Sequence, residues 1–184
     1  ITGDVCETYE SRWYGLAPVD TWGNDYYSPV NSYLSTIGTT VFLYNPHATA
    51  LAVSWETTAG AQAVINVPAN GVGTSVMPTT ASGAHFYTAD QRPFYAVGAY
   101  GSTNPSAGTN SRADWGFALL PEARLTYQTI IGWGPGRDPT SAVNPGENGS
   151  PVWVMPVPPN GSNAAIEICV DYDGDGAGAL TDSF

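Results

Sequence analysis

The chain of 184 residues carries 16 acidic residues against five arginines and no lysine, for a formal net charge of −11. This balance excludes nucleic-acid binding through a basic surface, because phosphate contacts need clustered Lys and Arg. With 42% hydrophobic but only 11% charged residues, and with 21 Gly and 15 Pro, the composition is typical of a β protein with many turns.

Aromatic side chains dominate the N-terminal segment, residues 1–34, which Pro, Gly and Asn interrupt. Exposed Trp and Tyr rings offer rigid apolar area with a polar tip, which suits a sugar face or a protein interface. The alternative is that the segment wraps the protein and buries its rings as a covering layer. The candidate ligand or interface aromatics are Trp13, Tyr14, Trp22, Tyr26 and Tyr27.

Strand-like runs fill most of the remaining chain, and turn residues separate them. The first three runs follow one another closely and predict a meander. The whole pattern predicts an all-β fold, a two-sheet antiparallel β-sandwich that is immunoglobulin-like or jelly-roll-like, with long Gly/Pro/Asn loops at 101–114 and 134–150. The predicted strands cover residues 39–44, 50–57, 63–67, 72–77, 85–88, 94–100, 115–120, 126–133, 152–157 and 165–170.

A chain of this length is expected to form one domain. We therefore expect a single sandwich domain over 1–184, with 1–34 as its aromatic-rich N-terminal segment and 171–184 as an acidic tail.

No apolar run approaches the roughly 20 residues that span a bilayer, so we expect no membrane span. No charged-then-apolar leader precedes Ile1, and we expect any export signal to have been removed or to lie outside this sequence.

Residues with catalytic potential are sparse. His47 and His85 are the only histidines, and the sequence contains no nucleophile elbow, zinc-binding His pair or phosphate-binding glycine loop. Two glutamates could in principle serve a glycosidase. Isolated glutamates are usually solvated surface residues, so we expect no catalytic residues and no enzyme activity. The six glutamates are Glu7, Glu10, Glu56, Glu122, Glu147 and Glu167.

The segment 171–182 has the ligand spacing of a calcium loop. Carboxylates stand at its positions 1, 3, 5 and 12, and Gly176 stands at position 6, where the chain turns sharply. A strand-like run precedes it, so we expect a strand-then-loop Ca²⁺ site rather than an EF-hand pair. The alternative is a solvated acidic turn, in which these carboxylates would repel one another. The predicted ligands are Asp171, Asp173, Asp175, the carbonyl of Ala177, and Asp182.

The two cysteines, Cys6 and Cys169, lie near opposite ends of the chain. In an oxidising compartment they could form a disulfide that closes nearly the whole chain into one loop, which would contribute about 4 kcal/mol on the chain-entropy model. The alternative is a pair of buried thiols. A disulfide favours a secreted protein.

Seven short motifs occur in an order that resembles a module of very large secreted bacterial surface proteins of the adhesin type. The resemblance covers residues 35–182 and implies a structural role at a cell surface or in an extracellular matrix, with no enzyme activity. It also implies that the Asp-rich segment is a calcium-stiffened exit toward a neighbouring module. The motifs lie at 41–47, 53–56, 94–98, 114–116, 132–136, 151–157 and 170–175.

We therefore expect an extracellular, calcium-stabilised structural or adhesive unit of a cell surface, matrix or filament. Its partners would be copies of itself or neighbouring modules, joined by strand addition at uncharged sheet edges. The competing hypothesis is a carbohydrate-binding module that presents exposed Trp and Tyr to glycans. A glycosidase is the third alternative.

Overall fold

The computed structural model describes residues 15–32, 38–58, 60–79, 83–100, 115–129, 153–155, 157 and 167–169. Strands dominate this part of the chain, and helix is limited to two 3₁₀ turns, Val19–Thr21 and Glu122–Arg124. The eight strands are β1 Asp25–Ser28, β2 Thr39–Tyr44, β3 Leu51–Thr57, β4 Gln62–Val67, β5 Val72–Val76, β6 Ala84–Tyr87, β7 Tyr95–Tyr100 and β8 Trp115–Ala118.

The strands form two antiparallel four-stranded sheets, which confirms the predicted all-β two-sheet sandwich. The first sheet has the order β1-β6-β3-β4 and the second the order β5-β2-β7-β8. The predicted meander is wrong. Although β3 and β4 form a hairpin, β2 lies in the other sheet between β5 and β7. The chain therefore crosses between the sheets after β1, β2, β4, β5 and β6.

The core forms where the inner faces of the two sheets meet. In β3, Leu51 and Val53 are fully buried, whereas Ala52 between them is exposed, as the period-two alternation of a strand requires. The second sheet contributes Val41 and Leu43 to the same cluster. The remaining buried members are Tyr26, Val67, Met77, Ala84, Phe86, Phe94, Ala96 and Leu119.

Asn45 connects the β2–β3 crossover to the turn between β4 and β5. Its side chain is fully buried, and its amide Nδ2 donates to the carbonyl oxygens of Thr49, Val67 and Pro68 at 2.9, 3.2 and 3.0 Å. Its Oδ1 accepts the backbone N–H of His47 at 2.9 Å. The turn between β4 and β5 is closed by a hydrogen bond that Gly71 N donates to Pro68 O. One side chain thus satisfies backbone groups of two connections.

The chain divides into two compact units, Ile1–Trp153 and Val154–Phe184, and the first contains both sheets. The prediction of one domain over 1–184 stays a prediction beyond that unit. The described parts of three predicted strands, 126–129, 153–155 with 157, and 167–169, are not strands. Within the described residues, no helix is long and apolar enough to cross a membrane.

Candidate functional site

The outer face of the first sheet carries a group of polar and aromatic side chains that we call the histidine cluster: Asp25, Tyr27, Glu56, His85 and Tyr87. Antiparallel pairing places them side by side. His85 on β6 lies opposite Tyr27 on β1 and opposite Glu56 on β3, and Tyr87 lies opposite Asp25. Their neighbours in sequence, Tyr26 and Phe86, point to the other face and are buried in the core. The same alternation that builds the core therefore gathers the cluster.

His85 is the centre of the cluster because both of its ring nitrogens contact a carboxylate. Nε2 lies 2.8 Å from Oδ1 of Asp25, and Nδ1 lies 3.1 Å from Oε1 of Glu56. The side chain of His85 is 19% exposed, that of Asp25 26% and that of Glu56 41%. A ring with a proton on both nitrogens donates to both carboxylates at once. The contacts thus favour the imidazolium form.

The electrostatics of the cluster follow from this geometry. Burial alone lowers the pKa of His85, but the hydrogen bonds to Asp25 and Glu56 and the charges of these two groups outweigh it, so the pKa is raised above its usual value. A histidine held in the charged form, with both nitrogens engaged, is poorly suited to act as a general base.

The two tyrosines enclose His85. The Tyr27 ring stacks on the imidazole with centroids 4.4 Å apart and planes 2° apart, and the Tyr87 ring lies at 4.7 Å and 25°. Burial, followed by the charges of Asp25, Glu122 and Glu56, raises the pKa of Tyr27 to about 12. Both aromatic rings lie against the imidazole, and such an arrangement favours its protonated form electrostatically.

The structure corrects one of the predicted exposed aromatics. Tyr26 is only 1% exposed, and its hydroxyl donates to Phe94 O at 2.7 Å, so it belongs to the core. Trp22 is half-buried and stacks on Tyr95 with centroids 5.0 Å apart. Tyr27 is half-buried in the histidine cluster. Trp13 and Tyr14 lie outside the described residues.

The predicted calcium ligands, Asp171, Asp173, Asp175, Ala177 and Asp182, also lie outside the described residues, so this site stays a prediction. The same holds for the disulfide, because Cys6 is not described. Cys169 is described as an exposed free thiol, with Sγ 4.0 Å from Oε1 of Glu167. Among the described residues, no group of three His, Cys, Asp or Glu is arranged to hold a metal ion.

Sequence reasoning identified neither the cluster nor its centre. It named Glu56 only as one of six isolated glutamates and His85 only as one of two histidines. The signal that was available is the alternation in 25–28 and 84–87, where Tyr26 and Phe86 face inward. Alternation reveals which residues share a face, but it does not reveal that β1 pairs with β6.

The same unit also contains a cavity of about 260 Å³. Residues from 17–22 and from 118–124 line it, together with Tyr26 of β1 and Tyr95 of β7. Gly23 lies against Pro121, a lining residue of this cavity, and a Cβ at position 23 would lie 2.5 Å from Cβ of Pro121. Only glycine permits this close approach of the two segments.

No protein-family model, curated protein or solved structure matches this chain.

Proposed function

We propose that this chain is an extracellular structural or adhesive unit that assembles with copies of itself or with neighbouring modules by strand addition. The observation that carries the proposal is the edge strand β4, the last strand of the first sheet. Strand addition uses the backbone N–H and C=O groups along the open side of such a strand.

Within the part of the chain that the structure describes, the edge of β4 shows none of the usual features that prevent pairing. Its sequence, Gln-Ala-Val-Ile-Asn-Val, contains no charge and no proline, and it pairs with β3 in a continuous register without a bulge. Val64 at its middle is 59% exposed. Natural sheet edges are commonly protected by lysine, proline or bulges, and this chain has no lysine. An unprotected, exposed edge favours assembly.

The test is a lysine placed on the edge. Val64→Lys adds a charge to the open strand, whereas Ala52→Lys adds the same charge to the same face of the internal strand β3. We expect Val64→Lys to remain monomeric at concentrations at which the wild type and Ala52→Lys associate. Light scattering and negative-stain imaging measure association, and melting temperature verifies that all three proteins are folded.

Equal association of all three proteins would mean that β4 is not part of the interface. A wild type that stays monomeric at high concentration would refute the assembly proposal itself. Because both substitutions reduce the net negative charge by one, a difference between them reports on position and not on overall repulsion.

Two further considerations support the proposal. The resemblance to secreted surface modules and the calcium-loop spacing of 171–182 both favour an extracellular location, where calcium is abundant enough to stabilise such a loop. The absence of an enzyme activity is part of the same proposal. It is supported by His85, the only histidine in the cluster, whose two nitrogens are both engaged by carboxylates.

Glycan binding is the second candidate function, and the histidine cluster is what favours it. Tyr27 and Tyr87 lie beside the carboxylates of Asp25 and Glu56 on one sheet face, so that aromatic surface and hydrogen-bond acceptors for sugar hydroxyls are adjacent. The platform would then differ from the predicted one, because Tyr26 is buried and Trp22 is stacked on Tyr95.

A screen of oligosaccharides by calorimetry tests this candidate. For any glycan that binds, Tyr87→Ala should weaken affinity at least about fivefold, as expected for the loss of a stacking contact. Tyr127→Ala is the matched control, because Tyr127 is 99% exposed and lies outside the cluster. Equal loss in both variants, or no binding to any glycan, would argue against this function.

A further inference from the structure

The cavity between residues 17–22 and 118–124 has a predominantly apolar wall. The stacked pair Trp22 and Tyr95 contributes to this wall, and so do Leu119, Leu120 and Pro121. Its volume of about 260 Å³ lies just below the roughly 300 to 1,000 Å³ of pockets for drug-sized ligands. A single aromatic ring or a short acyl chain is therefore the size of ligand that it suits.

The polar groups of the wall are already engaged. Every hydroxyl or indole N–H that lines the cavity donates to a backbone carbonyl, so a ligand in the interior would find apolar surface and no vacant donor. The indole N–H of Trp22 donates to Ala17 O at 3.0 Å, and the hydroxyl of Thr21 donates to Pro18 O at 2.7 Å. The hydroxyl of Tyr26 donates to Phe94 O at 2.7 Å, and that of Tyr95 donates to Gly15 O at 2.9 Å.

Arg124 is the exception in this wall. Its side chain is exposed and has no hydrogen-bond or ion-pair partner within the described part of the chain. Arg92, the other described arginine, contacts Asp90 at 2.7 Å and also bonds to Ala50 O at 3.1 Å. Arg124 thus places next to the apolar cavity a guanidinium that none of the described residues engages, and a guanidinium is a donor suited to carboxylates.

We propose that this cavity binds a small hydrophobic carboxylate, with the apolar body of the ligand between the Trp22–Tyr95 pair and Leu119, and the carboxylate on Arg124. The preference for a negatively charged ligand comes from Arg124 at the cavity. The protein as a whole is strongly acidic and repels anions, so affinity has to come from the apolar wall, and the guanidinium decides between charged and neutral ligands. This site is independent of the proposed assembly through β4.

The experiment compares 3-phenylpropionate with its neutral analogue, 3-phenylpropionamide, by calorimetry and ligand-observed NMR on the whole chain. We expect the carboxylate to bind with a dissociation constant on the order of 0.1 to 1 mM, as suits a ligand of this size. The amide should bind roughly three- to tenfold more weakly, because it lacks the charged hydrogen bond to Arg124.

Three variants test which residues are responsible for ligand binding and for the preference for the carboxylate over the amide. Arg124→Gln should bring the affinity of the carboxylate down to that of the amide, whereas Arg92→Gln removes the same charge elsewhere and should preserve the preference. Ala118→Leu adds apolar volume to the wall and should weaken both ligands. Equal binding of the two ligands to the wild type, unchanged binding by Ala118→Leu, or no binding of either ligand would each overturn the proposal.

Discussion

His85 links three strands through its side chain, because its partners Asp25 and Glu56 lie on β1 and β3 while it lies on β6. Backbone pairing already joins these strands, so the side chains add a second set of connections on the outer face. These side-chain contacts depend on the charge of His85 and of the two carboxylates. Their strength therefore varies with pH, whereas the strength of the backbone hydrogen bonds does not.

We predict that the stabilisation by His85 is lost as the pH rises. Because the folded pKa is raised above the unfolded value of 6.5, the contribution is fully present below 6.5 and disappears as the pH rises through the raised folded value. His85→Gln should therefore lower the free energy of unfolding by about 1 kcal/mol at pH 5.5, a figure reduced for the partial exposure of Glu56, and by less at pH 9.

Urea unfolding at the two pH values measures this difference. His47→Gln is the control, because Nε2 of His47 contacts the backbone carbonyl of Pro93 at 2.8 Å rather than a carboxylate. A loss of stability in His85→Gln that is the same at pH 5.5 and pH 9 would contradict the charge-dependent role of the cluster.

At the level of elements, hydrophobic alternation allowed most strand positions to be predicted but not their partners. The strands β2 to β8 begin and end within two residues of their predicted positions. The strand β1 was missed, because its inward residues are Tyr26 and Ser28 and not an aliphatic pair. The site was missed for a related reason. Its three charged residues come together only through pairings between distant strands.

The crossover after β2 depends on the hydrogen bonds of the Asn45 side chain. We predict that Asn45→Ala lowers the free energy of unfolding by about 2 to 4 kcal/mol, because it removes the hydrogen bonds that a fully buried side chain makes to three backbone carbonyls and to the N–H of His47. Chemical denaturation measures the loss.

The comparison for Asn45→Ala is Asn66→Ala on β4, where the side chain is exposed. That variant should remain within about 0.5 kcal/mol of the wild type. If the two variants were equally stable, the buried hydrogen bonds of Asn45 would not be what holds the crossover and the turn together.

At the scale of the whole molecule, the net charge of −11 is the main electrostatic feature. The Asp-rich segment 171–182 carries part of this charge on a few residues. Like charges at such spacing oppose a compact arrangement unless a cation neutralises them. If the proposed Ca²⁺ site exists, the stability of the protein is linked to the concentration of free calcium.

We therefore predict that calcium at 100 times its dissociation constant stabilises the folded chain by about 2.7 kcal/mol, and that chelation lowers the melting temperature by roughly 5 to 10 °C. Asp173→Asn should abolish most of this response, whereas Asp20→Asn, which removes the same charge outside the loop, should retain it. Calorimetric melting at constant ionic strength is the measurement. Identical melting with calcium and with chelator would refute the site.

The order of strands in the first sheet also constrains how the chain reaches its fold. β1 can pair only after β6 has been made, since His85 follows Asp25 by 60 residues, and β2 gains its second partner only with β7. Folding is thus governed by the closure of long loops and should take milliseconds to seconds, as is typical of sandwiches rich in distant contacts. During that interval β2, whose sequence Thr-Thr-Val-Phe-Leu-Tyr carries no charge, lacks one or both of its partners, β5 and β7. The newly made chain is therefore most prone to aggregation before β7 emerges.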